Sequence, residues 1–501
     1  MAIRENLIPM FVILPLGGAF LVSLLGKRLR GFSDIFSNIT AFLLLAISVY
    51  SVFLVNSFGV MVYRVGMWVP PIGIGLVLDG LSSFMLVTIN LIAFFIMAYA
   101  ANYMEGYTAK WKFYALFLLM LAGMEGIIIT GDIFNLFVFL EIASVASYAL
   151  VAYGTEAEEL EASFKYLIMS SLGSLFVLLG IALIYGYTST LNMADIANVL
   201  SQKGPGNIIL FVSVLFIMGF GLKSALVPFH AWLPDAHPAA PAPVSAMLSG
   251  VLIKTLGVYA LVRIFYDVIG APPGILFVLM FLGTISMVAG VFLAIGQWDM
   301  KRLLAYHSIS QIGYIFLGIG LGTPLGILGG LFHLFNHSVF KSLLFLNSGA
   351  VEYSAGTRDL REMGGLKERM PVTAGTSLIA SMSIAGIPPF NGFWSKLIII
   401  LAAVQAGHPI YAAFAVIASI LTLASFAKVQ KYAFFGKPKE KYKDVKEVPV
   451  FMRGSMILLA AICILSSVLA IPALSRFFLK SATNVLVNGA DYAKAVFGAI
   501  R

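Results

Sequence analysis

The sequence has 501 residues, of which 60% are hydrophobic and 11% charged, against roughly 25% charged in an ordinary soluble domain. Its formal charge of +9 does not mark a nucleic-acid binder, because the Lys and Arg residues fall in short connections and form no basic face with interleaved aromatics. The single cysteine, Cys463, lies inside an apolar run, which excludes a disulfide framework and a thiolate cluster for zinc or for iron and sulfur.

Apolar runs, each long enough to cross a hydrocarbon layer of about 30 Å as a helix, lie near residues 7–25, 34–55, 76–102, 113–130, 133–153, 164–187 and 207–229. More follow near 241–265, 273–296, 303–321, 325–350, 371–406, 410–435 and 452–472. In lipid only helices and closed barrels satisfy the backbone, and continuous runs lack the alternation of a barrel. The expectation is an all-α integral membrane protein with about 14 transmembrane helices. The first run follows Arg4 and shows no small-residue cleavage site before Lys27, so it reads as a retained span.

Each connection can be numbered by the run before it. The odd ones hold Lys27, Arg28, Arg30, Lys110, Lys112, Lys165, Lys301, Arg302, Arg358, Arg361, Lys367, Arg369 and a string from Lys428 to Arg453. The even ones offer little beyond Arg64, Lys203 and Arg263. Cytoplasmic loops carry the excess of Lys and Arg, which predicts a multi-pass protein of the cell membrane with both termini on the outer side.

Two runs are interrupted. One breaks at Leu226-Val227-Pro228, with Pro234, Pro238, Pro241 and Pro243 following; the other breaks at Gly386-Ile387-Pro388-Pro389. Proline removes a helix donor, so each break leaves polar backbone at membrane depth, tolerable only where protein or water covers it. Broken helices in both halves of a chain mark an inverted-repeat transporter, although prolines also kink ordinary membrane helices. From residue 474 to 497 the pattern is amphipathic, and it reads either as a helix lying on the membrane surface or as a frayed tail.

A charged side chain near the bilayer centre costs about 2.5 to 3.5 kcal/mol on the gentlest scale, so such residues are the candidate site. Glu141 sits mid-run and should be buried against a partner; Lys223, just before the first break, is its natural cation. Lys254 falls in the next run, and Lys396 follows the second break. His333, His337 and Lys341 recur at intervals of four, which puts them on one helix face in a column about 12 Å long. A neutral histidine takes and gives a proton at once through its two nitrogens. Burial disfavours the charged form of a lysine and a nearby carboxylate favours it, so moving that carboxylate switches the lysine between holding and releasing a proton.

Plainer readings stand beside these. Lys254 and Lys396 could snorkel to the interface, and Glu141 with Lys223 could be a structural ion pair. Glu125, close to Thr130, Gly131 and Asp132 at a span end, could face water. His230, Asp235 and His237 fall in a proline-rich turn, as structural residues or as accessory site residues. His333 and His337 have the spacing of zinc ligands, but Leu334-Phe335-Asn336 between them supplies no general-base Glu. An intramembrane metal-dependent hydrolase is therefore the weaker alternative, and neither a cofactor nor a metal is expected.

Three stretches carry a resemblance over nearly the whole chain: Gly131-Asp132-Ile133-Phe134-Asn135 through Glu141; Lys223 through Pro228-Phe229-His230-Ala231-Trp232-Leu233-Pro234-Asp235-Ala236-His237 to Ala246; and His337-Ser338-Val339-Phe340-Lys341 to Leu346. They resemble the antiporter-like subunits shared by respiratory complex I, Mrp-type sodium/proton antiporters and membrane-bound hydrogenases, with Lys396 and the Gly-Asp-Ile-Phe-Asn stretch most like the D-type member of the Mrp antiporters.

The resemblance implies two inverted five-helix repeats, each with a broken helix. It divides the chain into N-terminal helices at 1–130, the last opening the first repeat; repeats at 113–265 and 273–435; and a cytoplasmic loop, last span and amphipathic segment at 436–501. It makes Glu141 and Lys223 the pumping pair, Lys254 and the His333, His337, Lys341 column the relay, and Lys396 the terminal lysine. It implies other membrane subunits as partners, in an antiporter or in a redox enzyme, with protons as cargo and sodium in the antiporter case.

Overall fold

In the computed structural model, which describes residues 2–29, 31–68, 72–204 and 206–500, ten helices are long and apolar enough to cross a membrane. They are Phe32–Phe58, Gly80–Gly106, Lys110–Ile129, Ile133–Gly154, Ala157–Thr188, Ala242–Ile269, Pro273–Ile295, Met300–Gly320, Pro409–Phe434 and Val450–Ala470. Shorter apolar helices are Met10–Leu25, Asn207–Lys223, Pro371–Ala385 and Asn391–Gln405. The helix Pro324–Ala355 carries His333, His337 and Lys341 fully buried in the core. Arg30, one of the expected cytoplasmic cations, lies outside the described residues.

Helix starts follow local chemistry. The Asp79 side chain accepts from Ser82 N while Ser82 Oγ accepts from Asp79 N, a capping box that opens the helix Gly80–Tyr103. Asp132, Asp299 and Thr323 cap the helices that follow them in the same way, through one accepted bond each. Large apolar side chains such as Phe42, Phe53, Phe164, Phe211 and Ile420 point outward, where a bilayer, not water, is the compatible medium. Close helix contact uses small residues: a Cβ on Gly290 would stand 2.6 Å from Ser310 N, and one on Gly283 2.8 Å from Leu317 N. The helices Pro273–Ile295 and Met300–Gly320 therefore meet backbone to backbone.

The structure departs from the sequence-based expectation at four places. The all-α expectation missed an antiparallel hairpin, Met61–Arg64 with Gly75–Leu78, in the register Met61↔Leu78. The run expected from residue 76 therefore begins as a strand, and its helix starts only after the Asp79 cap. The amphipathic segment 474–497 is not a frayed end, and it is two helices where one was expected. It forms the helices Leu479–Val487 and Tyr492–Ile500 and docks on the bundle, the Phe478 ring lying 4.9 Å from that of Phe84 and 5.6 Å from that of Phe335.

Arg263 is not in a connection. It is buried in Ala242–Ile269, a helix enclosed on all sides whose turns Leu248–Leu252, Lys254–Tyr259 and Ile264–Ile269 are π-wound. π turns usually occur singly and often at functional sites. Finally, Asp235 and His237 lie in a short helix, Leu233–Ala239, and not in a turn, because Pro234 at its first positions is compatible with a helix start.

Candidate functional site

The helix Asn207–Lys223 stops at the first break, leaving Lys223 at its end. Trp232, beyond the break, donates its indole N–H to the Leu222 carbonyl at 3.0 Å. Tyr166 stacks on Trp232 with centroids 4.2 Å apart and planes within 10°, and the Tyr166 hydroxyl accepts from Ser147 at 3.0 Å. The break is thus pinned to the two neighbouring helices. Backbone left over is used as well: Val227 N donates to Ser286 Oγ at 2.9 Å.

Lys223 Nζ donates to Ser144 Oγ at 2.9 Å and Ser170 Oγ at 2.6 Å, and stands 3.8 Å from Glu141 Oε1. Ser174 Oγ donates to Glu141. The expected partners therefore meet, but the expectation that both are buried holds only for the lysine. The Lys223 side chain is 1% exposed and that of Glu141 34%. Glu141 shares its helix face with the exposed Phe134, Val138 and Val145, a facing that position along an apolar run does not reveal.

Lys254 does not snorkel. It is fully buried and donates to the Ser249 and Gly250 carbonyls at 2.7 and 2.5 Å. His237 is also fully buried, beside Trp232 and Phe345, with no partner on either ring nitrogen among the described residues. Asp235 points the other way, toward Lys165 at 3.2 Å and Arg302 at 3.5 Å, on a cavity of about 220 Å³ that Glu158, Asp299 and Arg358 also line. His230 is half-buried just after the break.

The second half holds the rest. His333 reaches Ser395 Oγ through Nδ1 at 3.0 Å and Gln311 Oε1 through Nε2 at 3.2 Å. The His333 and His337 rings stack within 8° of parallel, centroids 6.3 Å apart. Lys341 Nζ donates to the Leu304 carbonyl at 2.6 Å. Lys396 is buried, not snorkelled: its Nζ donates to the Ile384 carbonyl at 2.7 Å and lies 4.7 Å from the centre of the Tyr314 ring. It borders a cavity of about 250 Å³ with Gly386, Phe393 and Ser419.

Three groups are misplaced or missed when the site is read from sequence. His307, bound to Ser425 Oγ at 2.8 Å, could have been found as a histidine inside an apolar run. Arg263 binds Asp79 through two bonds of 2.6 and 2.9 Å and Asp267 at 2.7 Å; Asp79 is 184 residues away in the chain, and no local signal joins the two. Glu125 does not face water. It is fully buried.

Among the described residues no three His, Cys, Asp or Glu side chains are grouped to hold a metal. Both nitrogens of His333 are taken by protein partners and its ring lies parallel to that of His337, so the pair does not converge on one ion. The hydrolase reading has no geometric support.

Residues 130–422 match the family described as "NADH:quinone oxidoreductase/Mrp antiporter, TM", and residues 68–114 match "NADH-Ubiquinone oxidoreductase (complex I), chain 5 N-terminus". The chain is 35% identical over 456 residues to the D-type component of the Na(+)/H(+) antiporter of Alkalihalophilus pseudofirmus, covering 91% of each. It superposes on a chain of the Mrp complex from a Dietzia species with a TM-score of 0.91 and 31% identity, covering 99% of this chain and 100% of that one. A chain of the membrane-bound sulfane sulfur reductase, an archaeal respiratory membrane complex, gives a TM-score of 0.90 and 34% identity over 98% of this chain and all 100% of its own. This is a multi-pass membrane protein, and it belongs to the antiporter-like subunit family common to NADH:quinone oxidoreductases and Mrp antiporters.

Proposed function

We propose that the chain is a proton-translocating subunit of a multisubunit membrane complex. Glu141 and Lys223 are its switched pair, Lys254, His333, His337 and Lys341 its relay, and Lys396 its terminal group. One observation carries this reading. The buried lysines Lys254, Lys341 and Lys396 are held by carbonyl and hydroxyl oxygens and, among the described residues, by no carboxylate. A buried lysine locked to a fixed carboxylate keeps its proton, whereas one held by neutral oxygens can release it.

The rest of the assignment follows the same reading. The ten long helices, Met10–Leu25, Pro324–Ala355 and the two broken helices bring the crossings to about 14, with inverted repeats at 113–265 and 273–435. Both termini face outward from the cell membrane, because the cation-rich connections stay inside. Asp235 at its charged cavity, with His230 and His237 close by, forms an accessory entrance. No cofactor is needed, since any redox centre resides on partners.

Partners are other membrane subunits, and the drive is sodium/proton antiport or a redox module. Copurification separates these, because a redox complex brings metal-rich soluble subunits. The reading itself is tested by Lys223→Ala: proton transport by the whole complex in sealed vesicles is lost while assembly is retained. Unchanged transport overturns it.

A further inference from the structure

Glu125 lies on Lys110–Ile129 with 0% of its surface exposed, and among the described residues no hydrogen bond ends on either carboxylate oxygen. Asn90, equally buried on Gly80–Tyr103, is its polar neighbour, and both ends of that amide are also without a well-formed bond. No cation lies within ion-pair distance among the described residues. Burying a carboxylate with neither cation nor donor is among the most expensive arrangements in a protein interior, so a carboxyl placed this way carries charge only in passing. It also precedes the Gly131 to Glu141 stretch and lies outside the three quoted stretches.

The surroundings give it a direction. Tyr259 donates its hydroxyl to the Ile128 carbonyl at 2.6 Å, one turn beyond Glu125 on the same helix. Five residues before Tyr259, on the same enclosed helix, is Lys254. Four residues after it is Arg263, whose guanidinium donates to the Tyr259 hydroxyl at 3.0 and 3.2 Å and grips Asp79 and Asp267. Two carboxyls share this one guanidinium, and Asp267 Oδ1 has no partner among the described residues, so the cluster has room for a proton. From Lys254 to Arg263 the helix advances roughly 13 Å, and this stretch packs against the helix that carries Glu125, Tyr259 making the contact at Ile128. Of the other packed helices, Met10–Leu25 carries no titratable side chain, Phe32–Phe58 has its Asp34 paired with Lys110, and Glu141 is engaged with Ser174 and Lys223.

We propose that Glu125 is a proton-holding group on a branch that leads from Lys254 outward to the Arg263, Asp79 and Asp267 cluster. The proposal rests on the proton-translocating reading above. It adds an exit at the end of the bundle where the C-terminal segment docks, Gly489 sitting against Tyr266 and Asp267.

The test uses the whole complex in sealed vesicles with Glu125→Gln, Glu125→Asp and Lys223→Ala in parallel. Glutamine keeps the shape and the hydrogen-bonding capacity beside Asn90, so a merely structural role survives it. The expected result is a loss of about tenfold in proton transport for E125Q with normal assembly, most of it restored in E125D with a shifted pH profile. Infrared difference spectra should show a carboxylic carbonyl band that changes in turnover and is missing in E125Q. Wild-type transport by E125Q beside an inactive K223A overturns the branch and leaves the proton reading standing; wild-type transport by both removes the reading itself. If E125Q does not assemble, E125D decides: a shifted profile supports the branch and a wild-type profile with no such infrared band rejects it.

Discussion

Lys223 and Glu141 face each other without touching. Their charged atoms stand 3.8 Å apart while Ser144 and Ser170 take the lysine hydrogens at 2.9 and 2.6 Å. Removing one hydroxyl pushes the ammonium toward the carboxylate and tightens the pair. We predict that Ser170→Ala slows proton transport about tenfold, the equivalent of one charged hydrogen bond of about 1.5 kcal/mol, with assembly unchanged. Glu141→Gln should impair transport as well, because the lysine then has nothing to switch it. Dye-quenching rates in vesicles check both, and a wild-type rate in S170A would mean the serines only fill space.

His333 and His337 stack on one helix face but differ in their partners. His333→Leu strands the Gln311 side-chain oxygen in the core, while Ser395 keeps its bond to the Gly392 carbonyl, and should destabilise the complex by about 1 to 3 kcal/mol, visible as earlier loss of complex on heating. Among the described residues His337 has no partner on either nitrogen, so His337→Leu should leave that heating profile unchanged yet still stop proton flow. Equal destabilisation by both substitutions would contradict the distinction.

The Arg263 cluster predicts a different pattern. Arg263→Leu leaves Asp79 and Asp267 buried with no cation and should cost about 3 to 5 kcal/mol, enough to prevent accumulation. Adding Asp79→Asn and Asp267→Asn to that variant should recover much of the protein. Immunoblots of membrane fractions measure this, and failure of the triple variant would show that the cluster contributes more than charge balance.

Gly290 tests the helix packing. Its added methyl in Gly290→Ala meets Ser310 backbone, which cannot rotate aside, so separation of the two helices should cost about 1 to 3 kcal/mol. Gly274→Ala, on the same helix with open space around it, should be tolerated. The pair can be compared by thermal stability in detergent, and equal melting would argue against close backbone contact at Gly290.

Much of the candidate site was readable because lipid makes ionisable residues conspicuous: Glu141, Lys223, Lys254, His333, His337, Lys341 and Lys396 each interrupt an apolar run. What stayed hidden depended on relations that no run records. Which face Glu141 presents is set by neighbouring helices, and the joining of Asp79 to Arg263 spans distant parts of the chain. Asp79 was further disguised as the cap at a span start. The hairpin was obscured because Gly75–Leu78 is as apolar as the helix it precedes, and the π winding because composition does not report how many residues fill a turn.

The clasp between Trp232 and Leu222 limits what can stir during a working cycle. With the chain on both sides of the break anchored to Tyr166 and Ser147, this point resists hinging, and Lys223 is left to swing on its own flexible stem. Side-chain swings of that kind take picoseconds to nanoseconds when free, against microseconds or longer for sliding whole helices. Lys223 is buried and held by Ser144 and Ser170, so its swing waits on breaking those two bonds, and the pace falls to whatever loosens them or moves Glu141.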